Sequence, residues 1–135
     1  MRVVLDTNVL VSALLITASV PARLITLWRQ GRFELSTAPA QLDELMRVTR
    51  YPKIRARLQP ALAGRLVNEL RDLAHGGYDA VVDASRDPYD NSLLSIASGG
   101  CADYLVTGDK HDLLVLKKYD GTLIVPISNF LAELR

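Results

Sequence analysis

The chain has 135 residues, of which 49% are hydrophobic and 23% are charged, and its formal net charge is +1. This length suits a single domain, which we expect over residues 1–135, and the composition excludes a disordered protein. The lone cysteine excludes an intrachain disulfide and a cysteine zinc site, and it favours a reducing compartment. Every apolar run is far shorter than the roughly 20 residues of a membrane span, and Asp6 interrupts the first run too early for a signal peptide. We therefore expect a cytoplasmic protein with no membrane partner.

Short apolar or β-branched runs along the chain predict strands. These runs cover residues 2–5, 33–37, 80–82, 104–106 and 122–125. Between them, apolar residues recur at helical spacing and predict helices that begin near residues 9, 20, 39, 53, 62, 88 and 128. Strands that alternate with helices are typical of an α/β protein, so we expect a mainly parallel sheet with helices on both faces.

Polar and glycine residues mark several expected helix ends. Residues whose side chains can accept a hydrogen bond from the first turn stand at four predicted N-caps, Ser19, Thr37, Asp87 and Ser128. Pro88 behind Asp87 suits the first helical position. Gly99-Gly100 is expected to end that helix in left-handed geometry.

Two acids directly follow predicted strands. Asp6 comes after strand 2–5, and Asp109 closes the segment that follows strand 104–106. The carboxyl ends of parallel strands meet at one edge of a sheet, so these acids lie together if their strands are neighbours. Glu44 and Asp90 lie on helices that follow strands and could reach the same edge. Four carboxylates would then converge.

A converging group of carboxylates needs protons or cations. Two like charges about 4 Å apart repel by roughly 4 kcal/mol at an effective dielectric near 20. Oxygen ligands without histidine or cysteine suit Mg²⁺ or Mn²⁺. The pattern therefore favours metal-assisted hydrolysis of phosphodiesters, in which the metal activates a water molecule.

Each acid also has a purely structural interpretation. Asp87 is first an N-cap, and Asp90 in the first helical turn suits the helix dipole. Glu44 fits a solvent-facing helix position, and Asp112 could cap the short segment 113–116. Asp6 is harder to explain in this way, because an unpaired carboxylate after a buried strand is costly.

Positive charge is concentrated in one segment of the chain. Residues 47–71 contain seven basic residues and one acid, a net charge of +6, which leaves −5 on the remainder. A basic band beside an acidic remainder is what a phosphate-backbone binder with an acidic site could show. The alternative is a solvated helix face with scattered arginines.

Four features in chain order carry a family resemblance. They are Val3-Val4-Leu5-Asp6-Thr7-Asn8-Val9, the helical acid Glu44, Asp87-Pro88-Tyr89-Asp90-Asn91, and Ala102-Asp103-Tyr104-Leu105-Val106-Thr107-Gly108-Asp109. Together they resemble the PIN domain family, and in particular the toxin-type PIN proteins of prokaryotic toxin–antitoxin pairs. The resemblance implies a three-layer α/β/α sandwich and Mg²⁺- or Mn²⁺-dependent ribonuclease activity. It also implies frequent homodimerisation and inhibition by a cognate antitoxin.

The resemblance assigns roles to individual residues of this chain. The implied catalytic and metal-binding set is Asp6, Glu44, Asp90 and Asp109. Asp112 is an alternative or additional ligand, because many relatives have asparagine at the position of Asp109 and aspartate three residues later. The implied supporting residues are Asn8, Thr107 and Asp87, and the expected RNA-binding residues are Arg47, Arg50, Lys53 and Arg55.

The leading hypothesis is a metal-dependent endoribonuclease that acts as a toxin. A second hypothesis is a nucleic-acid-binding or assembly module on the same fold that does not hydrolyse its ligand. The four filled acid positions favour catalysis. A phosphotransfer enzyme of the aspartyl-phosphate kind would need a second aspartate close after Asp6, and Thr7-Asn8 does not supply one.

Overall fold

The computed structural model describes residues 1–74 and 84–134. The predicted strand 80–82 lies outside the described residues. In the described part, five strands form one sheet in the order β2-β1-β3-β5-β4. Their bounds are β1 Arg2–Leu5, β2 Glu34–Leu35, β3 Tyr104–Val106, β4 Lys118–Tyr119 and β5 Thr122–Val125.

Four of these strands run parallel, and only β4 is antiparallel to its neighbour. β1 and β3 are adjacent, with Leu5 paired to Val106, and Val106 is in turn paired to Val125 of β5. The carboxyl ends of the three central strands therefore stand side by side. Asp6 and the segment after Val106 leave the sheet at this shared edge, as the sequence predicts.

The helices occupy the expected segments. They are α1 Thr7–Leu15, α2 Val20–Arg29, α3 Pro39–Thr49, α4 Pro52–Arg55, α5 Pro60–Leu73, α6 Pro88–Gly99 and α7 Ile127–Glu133, with a 3-10 turn at Leu114–Leu116. In the described ranges no single helix is long and apolar enough to cross a membrane, although α1 and α2, bent by 103°, reach that length together.

Alternation along the strands builds a separate core on each face of the sheet. Val3 and Leu5 pack with residues of α1, α2, α3, α5 and α7 on one face. Val4 and Leu105 pack with α6 on the other. Successive residues of a strand point to opposite faces, which explains why β1 feeds both cores. The result is a three-layer α/β/α sandwich, and this confirms the predicted fold class.

Two of the four predicted N-caps are confirmed. Ser19 Oγ accepts from the backbone N–H of Ala22 at 3.2 Å, and Asp87 Oδ1 accepts from that of Tyr89 at 2.9 Å. Thr37 is not a cap, because α3 begins after Ala38 without a side-chain cap.

Ser128 is also not an N-cap, because α7 begins one residue earlier, at Ile127. Pro126 has extended backbone and takes the N-cap position. The predicted glycine end of α6 is displaced as well. Gly100 has φ −89°, and the left-handed residue is Cys101 at φ 51°.

A hairpin joins β4 to β5 and was not expected from the sequence. Asp120 and Gly121 have φ of 48° and 84°, and two consecutive positive φ values are the mark of a type I′ turn. An Asp-Gly pair is a strong hairpin signal, so the strand at Lys118–Tyr119 could have been predicted from the sequence.

Candidate metal centre

Asp6 lies where β1 passes into α1, and it is held from both sides. Its backbone N–H donates to Val106 O at 2.9 Å, which continues the pairing of β1 with β3. Its Oδ1 accepts from the backbone N–H of Asn8 at 3.3 Å, so Asp6 is the N-cap of α1. Thr107 Oγ1 donates to Oδ2 at 2.7 Å. Only 3% of Asp6 is exposed, so its direction is set by these contacts.

Burial raises the pKa of Asp6, and the donors around it work against that rise. The hydrogen bonds from Thr107, from the Asn8 backbone and from Tyr89 each lower the pKa, whereas the nearby charge of Asp109 raises it. A carboxylate in this position therefore depends on its donors to stay ionised.

Tyr89 joins the start of α6 to the end of β1. Its hydroxyl accepts from the Thr7 backbone N–H at 3.1 Å. It can donate to Thr7 Oγ1, with which it makes a short contact, or to Asp6 Oδ1 at 3.3 Å. Burial and the charge of Asp6 raise the pKa of Tyr89, so the hydroxyl stays protonated and remains a donor.

Asp90 is almost fully buried, with 2% of the residue exposed. It lies in the first turn of α6, and its Oδ2 has no hydrogen-bond partner among the residues that the structure describes. Burial, hydrogen bonding to Asp109 and the charges of Asp109, Asp87 and Asp6 together raise the pKa of Asp90 to about 7. Asp90 therefore holds a proton up to near neutral pH.

Asp109 lies in the loop after β3 and has the opposite behaviour. Its Oδ1 accepts from the backbone N–H groups of His111 and Asp112, both at 3.1 Å, and its own N–H donates to Thr107 Oγ1 at 3.0 Å. Burial would raise the pKa of Asp109, but these backbone donors and the Asp90 carboxyl lower it. Asp90 and Asp109 thus form a pair in which the proton resides on Asp90.

Three carboxylates come close enough to share one cation. Asp90, Asp109 and Asp112 each offer an oxygen, and the three oxygens lie within 4.8 Å of one another. Asp112 also accepts from Arg86 at 3.4 Å. An all-oxygen donor set, with an Asp90 Oδ2 that has no partner in the described ranges, fits a hard divalent cation. Two of the three, Asp90 and Asp109, were predicted as ligands, and Asp112 was the named alternative.

Comparison with protein families shows to which family the chain belongs. A family model described as PIN domain matches residues 2–111. The chain belongs to the PIN domain family. Searches of curated proteins and of solved structures gave no match. PIN domains are typically nucleases that use a divalent metal, and the acids at this sheet edge are compatible with that chemistry.

Glu44 stands apart from the three grouped acids of this PIN domain. It lies on α3, and its carboxylate forms a short ion pair with Arg47 one turn later. Glu44 and Tyr89 both line a cavity of about 230 Å³ between α3 and α6. The structure thus brings Glu44 toward the tyrosine that contacts Asp6, but not into the group of Asp90, Asp109 and Asp112.

The predicted supporting residues occupy distinct positions in the PIN domain. Thr107 is fully buried and connects Asp6 to the backbone of Asp109. Asn8 is exposed in the first turn of α1, and its backbone rather than its side chain contacts Asp6. Asp87 is exposed and caps α6. Thr107 therefore has the most direct structural connection to the acids.

The basic band divides into two parts. Along α5, Arg65 pairs with Glu69, which also accepts from Arg29, and Arg71 donates to Asn68. The other part contains Arg47, which is paired with Glu44, and four exposed residues without an ion pair to the described residues, Arg50, Lys53, Arg55 and Arg57. Positive charge without an ion pair to a described residue is therefore concentrated at the end of α3, in α4 and directly after it.

Sequence reasoning missed three polar residues that shape the site, namely Tyr89, Gln41 and Asn91. Gln41 is 3% exposed and donates to Leu5 O at 2.5 Å, while Thr37 donates to its Oε1 at 2.7 Å. Asn91 Oδ1 accepts from the backbone of Ser85 at 2.9 Å and so ties the segment before α6 to the helix. Gln41 could have been found from the sequence, because it is a polar residue on the otherwise apolar side of its helix.

Proposed function

We propose that this PIN domain is a Mg²⁺- or Mn²⁺-dependent endoribonuclease. Asp90 carries the proposal, because it is an almost fully buried carboxyl whose Oδ2 lacks a partner among the described residues. Burying an unpaired charge is costly, so a buried carboxyl takes up a proton, is paired or binds a metal, and without a cation Asp90 takes up a proton. Asp109 and Asp112 lie beside it and supply further oxygens.

The proposed acidic set is Asp6, Glu44, Asp90 and Asp109, with Asp112 as an additional ligand. These acids would hold a divalent cation, which when bound would lower the pKa of an attacking water and offset charge on the phosphate. Asp90 must give up its proton to become a full ligand, since its pKa is raised to about 7. Glu44 lies outside the group of Asp90, Asp109 and Asp112, and it would have to release Arg47 before its carboxylate could contribute to the set.

We propose that RNA reaches the acids across the end of α3 and α4. Arg50, Lys53 and Arg55 are exposed and have no ion pair to a described residue, so they can contact phosphates without first breaking a pairing. Arg47 pairs with Glu44 and would contact the backbone next to the acids. Positive charge on this surface compensates the repulsion that the acidic edge exerts on the RNA.

The biological role that we propose is that of a toxin with a cognate antitoxin, in a protein that forms homodimers. This role rests on the resemblance to toxin-type PIN proteins. Expression of the chain should arrest growth, and co-expression of a small protein encoded beside its gene should restore it. Growth arrest that persists in an Asp90→Asn variant would argue against ribonuclease action as its cause.

The test of the enzymatic proposal is cleavage of defined single-stranded RNAs with EDTA, Mg²⁺ or Mn²⁺. Cleavage should need the metal and should be lost in Asp90→Asn and Asp109→Asn. The matched control is Asp72→Asn, because Asp72 is an exposed acid on α5 whose loss leaves the sheet edge unchanged. Metal-independent cleavage by the wild type, or full activity in both edge variants, would contradict the proposal. Binding of RNA without cleavage would favour the non-catalytic module instead.

A further inference from the structure

Asp6 connects the two elements that carry the grouped acids. Thr107 donates to Asp6 Oδ2, and the same Thr107 oxygen accepts from the backbone N–H of Asp109. This contact ties Asp6 to the loop after β3. On its other side Asp6 Oδ1 lies 3.3 Å from the hydroxyl of Tyr89, the residue immediately before Asp90. This contact ties Asp6 to the first turn of α6.

The Tyr89 hydroxyl is held by more than one group. It accepts from the Thr7 backbone N–H at 3.1 Å and makes a short contact with Thr7 Oγ1. Thr7 is 2% exposed and opens α1, so these partners are fixed by the end of β1 and the start of a helix. The hydroxyl therefore fixes the distance between the edge of the sheet and the start of α6. The tyrosine ring itself packs against the core beneath α6.

We propose that Tyr89 is a positioning residue that sets Asp90 against Asp6 and Asp109 through the hydrogen bonds of its hydroxyl. Removing the hydroxyl while keeping the ring would leave the packing of α6 in place but free its first turn from Asp6 and Thr7. The oxygens of Asp90, Asp109 and Asp112 would then be held less closely to the spacing that a divalent cation requires. Residues that orient metal ligands in this way commonly change metal affinity by about 10- to 100-fold when replaced.

The inference rests on the proposed metal site, and its experiment measures metal binding rather than cleavage. Mn²⁺ affinity is measured by titration calorimetry for wild type, Tyr89→Phe and Tyr89→Leu, together with the melting temperature of each in EDTA. Tyr89→Phe should bind Mn²⁺ about 10-fold more weakly, at a metal-free melting temperature close to that of wild type. If the ring alone matters, Tyr89→Phe should bind normally and only Tyr89→Leu should be impaired.

Two further variants show whether the effect runs through Asp6. Tyr104→Phe removes a hydroxyl from β3 at a residue that packs against Phe130, and it should leave Mn²⁺ affinity unchanged. In an Asp6→Ala background, Tyr89→Phe should weaken Mn²⁺ binding by less than it does in the wild type, because the oxygen that faces the hydroxyl is already absent. A full, independent loss in that background would overturn the assignment.

The outcomes separate this inference from the proposed function. A wild-type protein that binds no Mn²⁺ overturns both. Normal Mn²⁺ binding by Tyr89→Phe overturns the positioning role alone and leaves the metal-dependent nuclease standing. Weaker binding by Tyr89→Phe and unchanged binding by Tyr104→Phe support the role of the Tyr89 hydroxyl.

Discussion

Asp90→Asn should stabilise the metal-free protein, because it removes a charge that the fold disfavours. Folding raises the pKa of Asp90 from 3.8 to about 7, so ionised Asp90 is better accommodated in the unfolded chain. Asparagine keeps the shape, stays neutral, and can donate an N–H toward Asp109 in place of the proton. The variant retains the contact of protonated Asp90 without the cost of ionisation.

The size of the gain follows from the pKa shift. A rise from 3.8 to about 7 corresponds to an upper limit of about 4 kcal/mol, at 1.36 kcal/mol for each pKa unit, which solvent screening at the open edge reduces. The gain is smaller again because the Asp90 carboxyl lowers the pKa of Asp109, and Asp109 loses this favourable partner in the variant. Loss of a carboxylate from the first turn of α6 costs about 0.3 to 1 kcal/mol through the helix dipole. We therefore expect a net gain of about 1 to 3 kcal/mol, or about 3 to 10 °C in melting temperature.

The gain should depend on pH in a defined direction. Asp90 has a folded pKa above its unfolded pKa, so the wild-type fold loses stability as pH rises from about 4 to about 7 and changes little beyond. Asp90→Asn lacks this loss. The difference in melting temperature between variant and wild type should therefore be small at about pH 4.5 and largest at about pH 8.

The assay is a set of thermal melts at the two pH values, each with EDTA and with Mn²⁺. Mn²⁺ should raise the melting temperature of wild type more than that of Asp90→Asn, because a bound ligand stabilises the fold according to its affinity. Asp72→Asn is the control and should behave as wild type throughout. If Asp90→Asn melts below wild type at the higher pH in EDTA, Asp90 is a helix-start residue that the fold needs as a charge.

Three other variants test neighbouring parts of the site. Replacing Arg50, Lys53 and Arg55 together with glutamine should weaken RNA binding and make log K depend less steeply on log salt. The slope should fall by about 2, at about 0.7 for each phosphate that the protein no longer neutralises. An unchanged slope would show that these three residues do not contact RNA phosphates. Asp87→Ala should cost about 1 kcal/mol of stability by removing the α6 cap, yet keep the melting-temperature gain with Mn²⁺. Asp112→Asn should reduce that gain while leaving metal-free stability near wild type, whereas an unaltered gain would remove Asp112 from the ligands.

The sequence predicted the parts of the fold that depend on local pattern. β1, β3 and β5 are apolar runs between polar turns, and their observed bounds equal the predicted ones. The cap at Asp87 was also predictable, because the acid, the following proline and the apolar helix are contiguous. Thr37 failed as a cap because α3 begins at Pro39 and Ala38 takes the N-cap position, which leaves Thr37 one residue outside it. The Thr37 hydroxyl donates to the buried Gln41.

The sequence predicted which acids belong to the candidate site, but it did not predict which of them lie close together. Strand ends predicted Asp6 and Asp109 at one edge, and β1 and β3 are indeed neighbours in the sheet. The pairing of Glu44 with Arg47 is an i,i+3 contact on α3, which spacing along the chain could have predicted. The direction of the Tyr89 hydroxyl, in contrast, depends on how α6 docks on the sheet, which spacing along the chain does not encode. The proximity of Asp112 to Asp90 likewise depends on the path of the loop that Asp109 organises.

The proton on Asp90 and the proposed cation each reduce the repulsion between the same carboxylates. With Asp6, Asp109 and Asp112 nearby, full ionisation of Asp90 would add another like charge to the group, and like charges at short distance repel. One proton relieves that repulsion at low pH, and one divalent cation relieves it more fully at higher pH. The two compete for Asp90, so metal affinity should fall as pH drops below about 7, the pKa of that carboxyl. The burial that makes Asp90 costly in the free protein is therefore what makes a bound cation favourable there.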